Sequence, residues 1–157
     1  MRLQDQVVKL TQRAVEDVIR AVEAIPEDKR DWSPAPHTRS AMSQLKELSQ
    51  SPALLTRVIG GDIPERFRDH AEENRASGAQ SEDFAGLAAT LRSETAKICS
   101  LVSSVEDEDL EREITLPFGG GMIITLADAI GLHHWNLTYH LGQINYIQTI
   151  LGDMEMH

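Results

Sequence analysis

The apolar residues of the chain recur at helical spacing in its first segment. They follow one another at steps of three and four from Leu3 to Ile25, and Pro26 ends the run. The stripe consists of Leu3, Val7, Leu10, Ala14, Val18, Ala21 and Ile25. This pattern predicts an amphipathic helix over residues 3–25.

A second amphipathic segment begins after Ser40, which is a good N-cap residue, and ends at Gly60 and Gly61. Pro52 lies inside it and is predicted either to kink the helix or to start a new turn. The polar residues 62–82 then predict a long loop, with one helical turn around residues 65–71.

The third and fourth helices flank a short stretch of different character. Apolar periodicity predicts the third helix over residues 82–105, and the fourth from the N-cap residue Thr125 to Leu151. Between them, ITLPFGGGMIIT has β-rich flanks around Pro117 and three glycines. This stretch predicts either a small hairpin or an extended crossover.

Four amphipathic helices with long connections bury their apolar faces most simply in a four-helix bundle with crossover connections. The length of 157 residues predicts a single domain, residues 1–157. Aromatic residues make up only 4% of the chain, so the core must be built mainly from aliphatic side chains, which favours an all-α fold.

The charge of the chain excludes some partners. A formal net charge of −10 repels phosphate backbones and anionic membrane surfaces, and Lys and Arg form no basic patch. The sequence has no apolar stretch of about 18 residues to span a membrane and no apolar signal region at its start. The single cysteine, Cys99, cannot form an internal disulfide, so we expect a cytoplasmic protein.

Candidate chemistry concentrates in the fourth predicted helix, in HHWNLTYHLGQINYIQTILGD, residues 133–153. His133, Asn136 and His140 fall on its apolar stripe. Polar groups are expensive to bury unless they are hydrogen-bonded or bind something. Inward polar side chains on facing helices are how bundles build metal and ligand sites. Two interpretations follow: these residues form a metal site, or they are polar core residues that only hydrogen-bond to one another.

Spacing separates these candidates. Asn136 and His140 are four residues apart, about 6 Å along the axis on one helix face, and can offer two ligands to one ion. His133 lies seven residues from His140, about 10.5 Å along the axis, which makes it a cavity-lining or acid–base candidate. A zinc-type site usually has three protein ligands. Glu47 on the second helix is the candidate for the third.

The same residues carry a resemblance to a known family. YHLGQINYIQTILGD resembles the end of DinB-like (YfiT-like) proteins, whose last helix carries a His-Xaa-Gly-Gln signature. DWSPAPHTRSAMSQLKEL resembles their linker and second helix, and ITLPFGGGMIITLADAI their extended segment before the last helix. The resemblance implies a four-helix bundle that binds a divalent metal, commonly zinc or nickel. It also implies a metal-dependent thiol transferase or hydrolase that acts on a small-molecule thiol or other substrate.

The family's metal ligands are one His on the second helix and two His four apart on the last. By this resemblance His140 is the last ligand, while Asn136 and Glu47 stand where the family usually has His. Glu is a competent ligand for zinc or nickel, but an Asn amide is a weak one. The resemblance therefore implies a degenerate Glu/Asn/His site, with His133 taking part of the lost role.

A second hypothesis is a non-catalytic helical-bundle binding or interaction module without metal. We expect a homodimer in either case, with Trp135 and Tyr139 covering a neighbouring surface or the dimer interface. Gly142 and Gln143 are predicted to serve packing and hydrogen bonding, since Gly lets another helix approach closely and Gln can bond a loop backbone.

Overall fold

The computed structural model describes residues 1–65, 83–117 and 120–157. These residues form the α-helices α1 (Leu3–Ala24), α2 (Ala41–Gly60), α3 (Phe84–Ser103) and α4 (Leu126–Ile150). Strands β1 (Glu113–Leu116) and β2 (Met122–Thr125) pair antiparallel before α4. Short 3-10 turns lie at Glu27–Lys29 and Asp107–Asp109. The predicted all-α four-helix bundle with long connections is confirmed.

Local side chains define the helix ends that position the site. The Ser40 hydroxyl accepts a hydrogen bond from the Ser43 N–H at 3.1 Å at the start of α2. At the other end, Gly61 takes a left-handed conformation with φ of +86°, which glycine adopts without steric cost. Helix α2 runs through Pro52 as one element, so the predicted new start does not occur there.

The stretch before α4 forms a small hairpin, which was one of the two predicted alternatives, and not an extended crossover. Glu113 pairs with Thr125 and Leu116 with Met122, which brings the chain directly to the start of α4. There, Thr125 and Asp128 form a capping box, in which each side chain accepts from the other residue's backbone N–H. Residues 66–82 of the expected loop, including most of its turn, lie outside the described residues.

The helices are not arranged in chain order. Helix α1 packs against α3 and α4, and helix α2 packs against the same two helices. Consequently α1 lies diagonally opposite α2, and α3 diagonally opposite α4. This arrangement makes α2 and α4 neighbours, although 65 residues separate Gly60 from Leu126 in the chain.

The buried face of α1 differs from the predicted stripe. Leu3 and Leu10 are 46% and 38% exposed, whereas Val15, Ile19 and Val22 are buried in the main core. Because α1 has two helical neighbours, its buried face is wider than one stripe and centred beside the predicted one. None of the described helices combines the length and apolar character needed to span a membrane.

Candidate functional site

His140 is the centre of a polar contact between α4 and α2. Its side chain is 2% exposed, and both ring nitrogens face polar atoms of α2. Nδ1 lies 2.9 Å from Oε1 of Gln44, and Nε2 lies 3.3 Å from Oε1 of Glu47. Gln44 and Glu47 are three residues apart, so they lie on the same face of α2. Two neighbouring helices therefore hold one imidazole from both sides.

The partners of His140 determine its protonation. The side-chain carbonyl oxygen of Gln44 only accepts hydrogen bonds, so we assign the ring proton to Nδ1, which donates to it. Burial, and secondarily the positive charge of Arg39, lower the pKa of His140 to about 4. At neutral pH the ring is then uncharged, and the Nε2 lone pair faces a carboxylate oxygen. Two electron-rich atoms in this position are a donor pair for a cation.

Glu47 has a second partner on its other oxygen. Oε2 of Glu47 forms an ion pair with the guanidinium of Arg39, which precedes α2. The Glu47 side chain is 41% exposed and that of Arg39 is 53% exposed, so this pair borders solvent. Arg39 therefore orients the carboxylate, with Oε1 turned towards His140.

His133, one of the other two predicted ligands, contacts a different helix from the one that His140 contacts. His133 is buried, and its Nε2 lies 2.8 Å from Oγ1 of Thr95 on α3, the helix diagonally opposite α4. Its Nδ1 is buried without a hydrogen-bond partner among the described residues. Burial and the nearby His134 lower the pKa of His133 to about 4. His133 thus faces the bundle interior, whereas His140 faces α2.

Asn136 lies one turn before His140 on α4 and is partly buried. Its side chain has no hydrogen-bond partner in the part of the chain that the structure describes. Across residues 1–65, 83–117 and 120–157, no group of three or more His, Cys, Asp and Glu side chains is arranged to hold a metal ion.

The residues nevertheless fit a metal with few protein ligands. A metal-ligating His normally donates its other ring N–H to an oxygen acceptor, as His140 does to Gln44. Glu47 supplies an anionic oxygen beside the free Nε2, and Asn136 lies one turn before His140 on the same helix, where its amide oxygen is a further candidate ligand. His140 and Glu47 are therefore two strong candidate ligands, and Asn136 is a weak third.

A cavity of about 410 Å³ lies beside this contact, and sequence reasoning missed it. Its lining residues are Pro34, Thr38, Arg39, Gln44, Tyr139, Gly142, Gln143, Tyr146 and Ile147. No heavy atom of the described residues lies within 4 Å of where a Cβ on Gly142 would be, so the predicted close helix approach at Gly142 is wrong. A usable signal was present, because Tyr139 and Tyr146 are seven apart and flank Gly142 and Gln143.

The sequence profile of the DinB superfamily matches residues 10–144. The chain belongs to the DinB superfamily. A sequence search of curated proteins finds no match to this member of the superfamily.

Solved structures share the DinB fold of this chain. YfiT from Bacillus subtilis, described as a probable metal-dependent hydrolase with an unusual four-helix bundle topology, is similar with a TM-score of 0.76 and 19% identity, over 96% of this chain and 88% of YfiT. The DinB-like protein YjoA from Bacillus subtilis is similar with a TM-score of 0.67 and 21% identity, over 97% and 96% of the two chains. A conserved protein from Enterococcus faecalis is similar with a TM-score of 0.71 and 16% identity, over 98% and 99%.

Proposed function

We propose that this DinB-superfamily chain binds a divalent metal ion, zinc or nickel, between α2 and α4. The observation that carries the proposal is the 3.3 Å approach of the neutral His140 Nε2 to the Glu47 Oε1. Neither atom carries a proton in our assignment, so a cation between them would relieve their repulsion. His140 and Glu47 are the principal ligands, with Asn136 as the weaker third.

The proposed reaction class is hydrolysis or thiol transfer on a small molecule. A bound divalent metal supplies Lewis acidity and lowers the pKa of a bound water or thiol. Gln44 holds His140 in the tautomer that leaves Nε2 free, and Arg39 holds Glu47 in place from the opposite oxygen. The description of YfiT as a probable metal-dependent hydrolase supports this class. The single cysteine supports a cytoplasmic setting.

Arg39 favours a second candidate function, a binding module without metal. The guanidinium already offsets the charge of Glu47, and a carboxylate with an existing cationic partner attracts a second cation less strongly. In that case the hydrogen bond from His140 to Gln44 holds α4 to α2 beside the cavity, and the Arg39–Glu47 ion pair has no part in chemistry.

The first test is the metal content of tag-free protein, measured by elemental mass spectrometry after incubation with zinc or nickel and desalting. We expect about one ion per chain for the wild type and His134→Ala, and little for His140→Ala and Glu47→Gln. His134 is the matched control because it is a histidine of the same helix but, six residues before His140, lies on a different helix face. Metal-free wild type, or equal loading of the His140→Ala variant, would contradict the metal proposal and favour the binding module.

We also propose that two copies associate through the exposed face of α4. Trp135, Tyr139, Tyr146 and Ile150 are 61%, 53%, 67% and 45% exposed on this helix. The helix carries one Asp and no Glu, Lys or Arg, in a chain with a net charge of −10. An uncharged apolar face lets two strongly negative molecules meet with little repulsion, so a second copy of the chain fits it.

A further inference from the structure

The cavity beside His140 has both apolar and polar walls. Tyr139, Tyr146 and Ile147 contribute aromatic and aliphatic surface, and Arg39 contributes the one positive charge among the described lining residues. No Asp or Glu is among the described residues that line it. The partner of Arg39, Glu47, lies outside the lining, so the described cavity wall itself presents a guanidinium and no carboxylate in a chain with a net charge of −10.

Several hydrogen-bond donors of the lining have no partner within the described structure. The Oε1 of Gln44 accepts from His140, and its amide nitrogen donates to none of the described residues. Gln44 is buried, and its side chain forms part of the cavity wall. The side-chain amide of Gln143 is likewise unengaged by the described residues. Arg39 has further N–H groups beyond the one bonded to Glu47.

We propose that this cavity binds a small organic anion with an aromatic or aliphatic body. Its carboxylate, or a comparable anionic group, accepts from Arg39 and Gln44, and its apolar body lies against Tyr139 and Tyr146. A planar guanidinium is well suited to a carboxylate. The cavity volume of about 410 Å³ is in the usual range for sites that take small molecules.

The cavity and the candidate metal position share two residues. Gln44 contacts His140 and lines the cavity, and Arg39 contacts Glu47 and lines it as well. An anion held here lies next to the His140–Glu47 pair, so it is the substrate class of the proposed metal centre. That assignment as a substrate rests on the proposed function, whereas the binding of the anion does not.

The test is a titration of metal-free, chelator-treated protein with 4-phenylbutyrate and its neutral amide, followed by NMR chemical shifts. We expect the wild type to bind the carboxylate about fivefold more tightly than the amide, which corresponds to one exposed charge-assisted contact. Arg39→Gln is expected to remove this preference. Arg92→Gln is the matched control, because it removes the same charge from an ion pair with Glu16 on the other side of the bundle.

A second variant tests the cavity without touching the ion pair. Gly142→Leu places a side chain into open space, so we expect normal folding, a melting temperature at or above that of the wild type, and about tenfold weaker binding of both compounds. Equal affinity for carboxylate and amide, or unchanged binding in Gly142→Leu, would overturn the proposal. If the protein binds the anion but takes up no metal, the anion site stands and the metal centre is rejected.

Discussion

At the scale of single residues, the two buried histidines of α4 have different environments. His140 has a polar partner on each ring nitrogen, and His133 has one on Nε2 alone among the described residues. The sequence placed both on one stripe, because residues seven apart on a helix share a face. Which neighbour each one meets depends on the packing of three other helices, which spacing does not encode.

His133 makes the stability of the protein depend on pH. Its pKa is about 4 in the folded state, against 6.5 for an unperturbed histidine, so the unfolded chain binds the proton more readily. The stabilisation is therefore complete above pH 6.5 and is lost as the pH falls from 6.5 towards 4. We predict that the double variant His133→Leu/Thr95→Val loses about 3 kcal/mol less of its free energy of unfolding across this window than the wild type.

The measurement is urea unfolding by circular dichroism at several pH values across this acidic window and up to neutrality. Thr95→Val alone is the control, since it keeps His133 and should retain the steep pH dependence. His140 and the carboxylates contribute equally to the pH dependence of the free energy of unfolding in all three proteins. Parallel curves for the wild type and the double variant would show that His133 does not titrate as its burial requires.

Much of the site could be anticipated residue by residue, but not its surroundings. The resemblance gave His140 and Glu47 as ligands, and the structure brings these two side chains to 3.3 Å, while their binding of a metal stays a prediction. Gln44 and Arg39 were not predicted, because nothing in their local sequence distinguishes them from other polar residues near a helix start. The cavity was missed because it exists only where the segment before α2 meets α4.

At the scale of elements, helix ends were the most predictable features. Ser40 and Thr125 were expected as N-caps, and both accept the expected backbone hydrogen bond. Such signals are local, since a side chain three residues away satisfies the free N–H groups. The face of α1 was less predictable, because Leu3 and Leu10 fit the period but lie at the edge of the buried surface.

The capping box at the start of α4 makes a direct prediction. Thr125→Ala removes the hydroxyl that accepts from the Asp128 N–H at 3.1 Å, and we expect the free energy of unfolding to fall by about 1 kcal/mol. Thr138→Ala is the matched control, because its hydroxyl bonds only to carbonyls within α4, which already accept helical bonds. Chemical denaturation checks both variants. Equal losses in the two would mean that the cap does not stabilise α4.

At the scale of the whole molecule, the proposed dimer can be tested by sedimentation velocity. We predict that the wild type sediments as a dimer and that Trp135→Glu shifts it to a monomer, because the change puts a negative charge into an uncharged apolar face. Ile123→Glu is the control, since Ile123 is 60% exposed on the hairpin instead. A monomeric wild type, or dissociation caused by Ile123→Glu and not by Trp135→Glu, would reject α4 as the interface.

The bundle itself was predictable at this scale, but its helix order was not. Four amphipathic segments specify how much apolar surface must be buried, and a bundle is the simplest way to bury it. They do not specify which helices become neighbours. Long connections permit several arrangements, and the observed one is selected by side-chain packing in the two clusters of the core.

The placement of α1 and α2 on opposite corners has a consequence for synthesis on the ribosome. Each of them has α3 and α4 as neighbours, so neither can complete its packing before α3 and α4 have been synthesised. Their apolar faces stay partly uncovered until the 25 residues of α4 have left the exit tunnel. We therefore expect chaperones that shield apolar helices to bind the emerging chain, and expect the appearance of α4 to end that dependence.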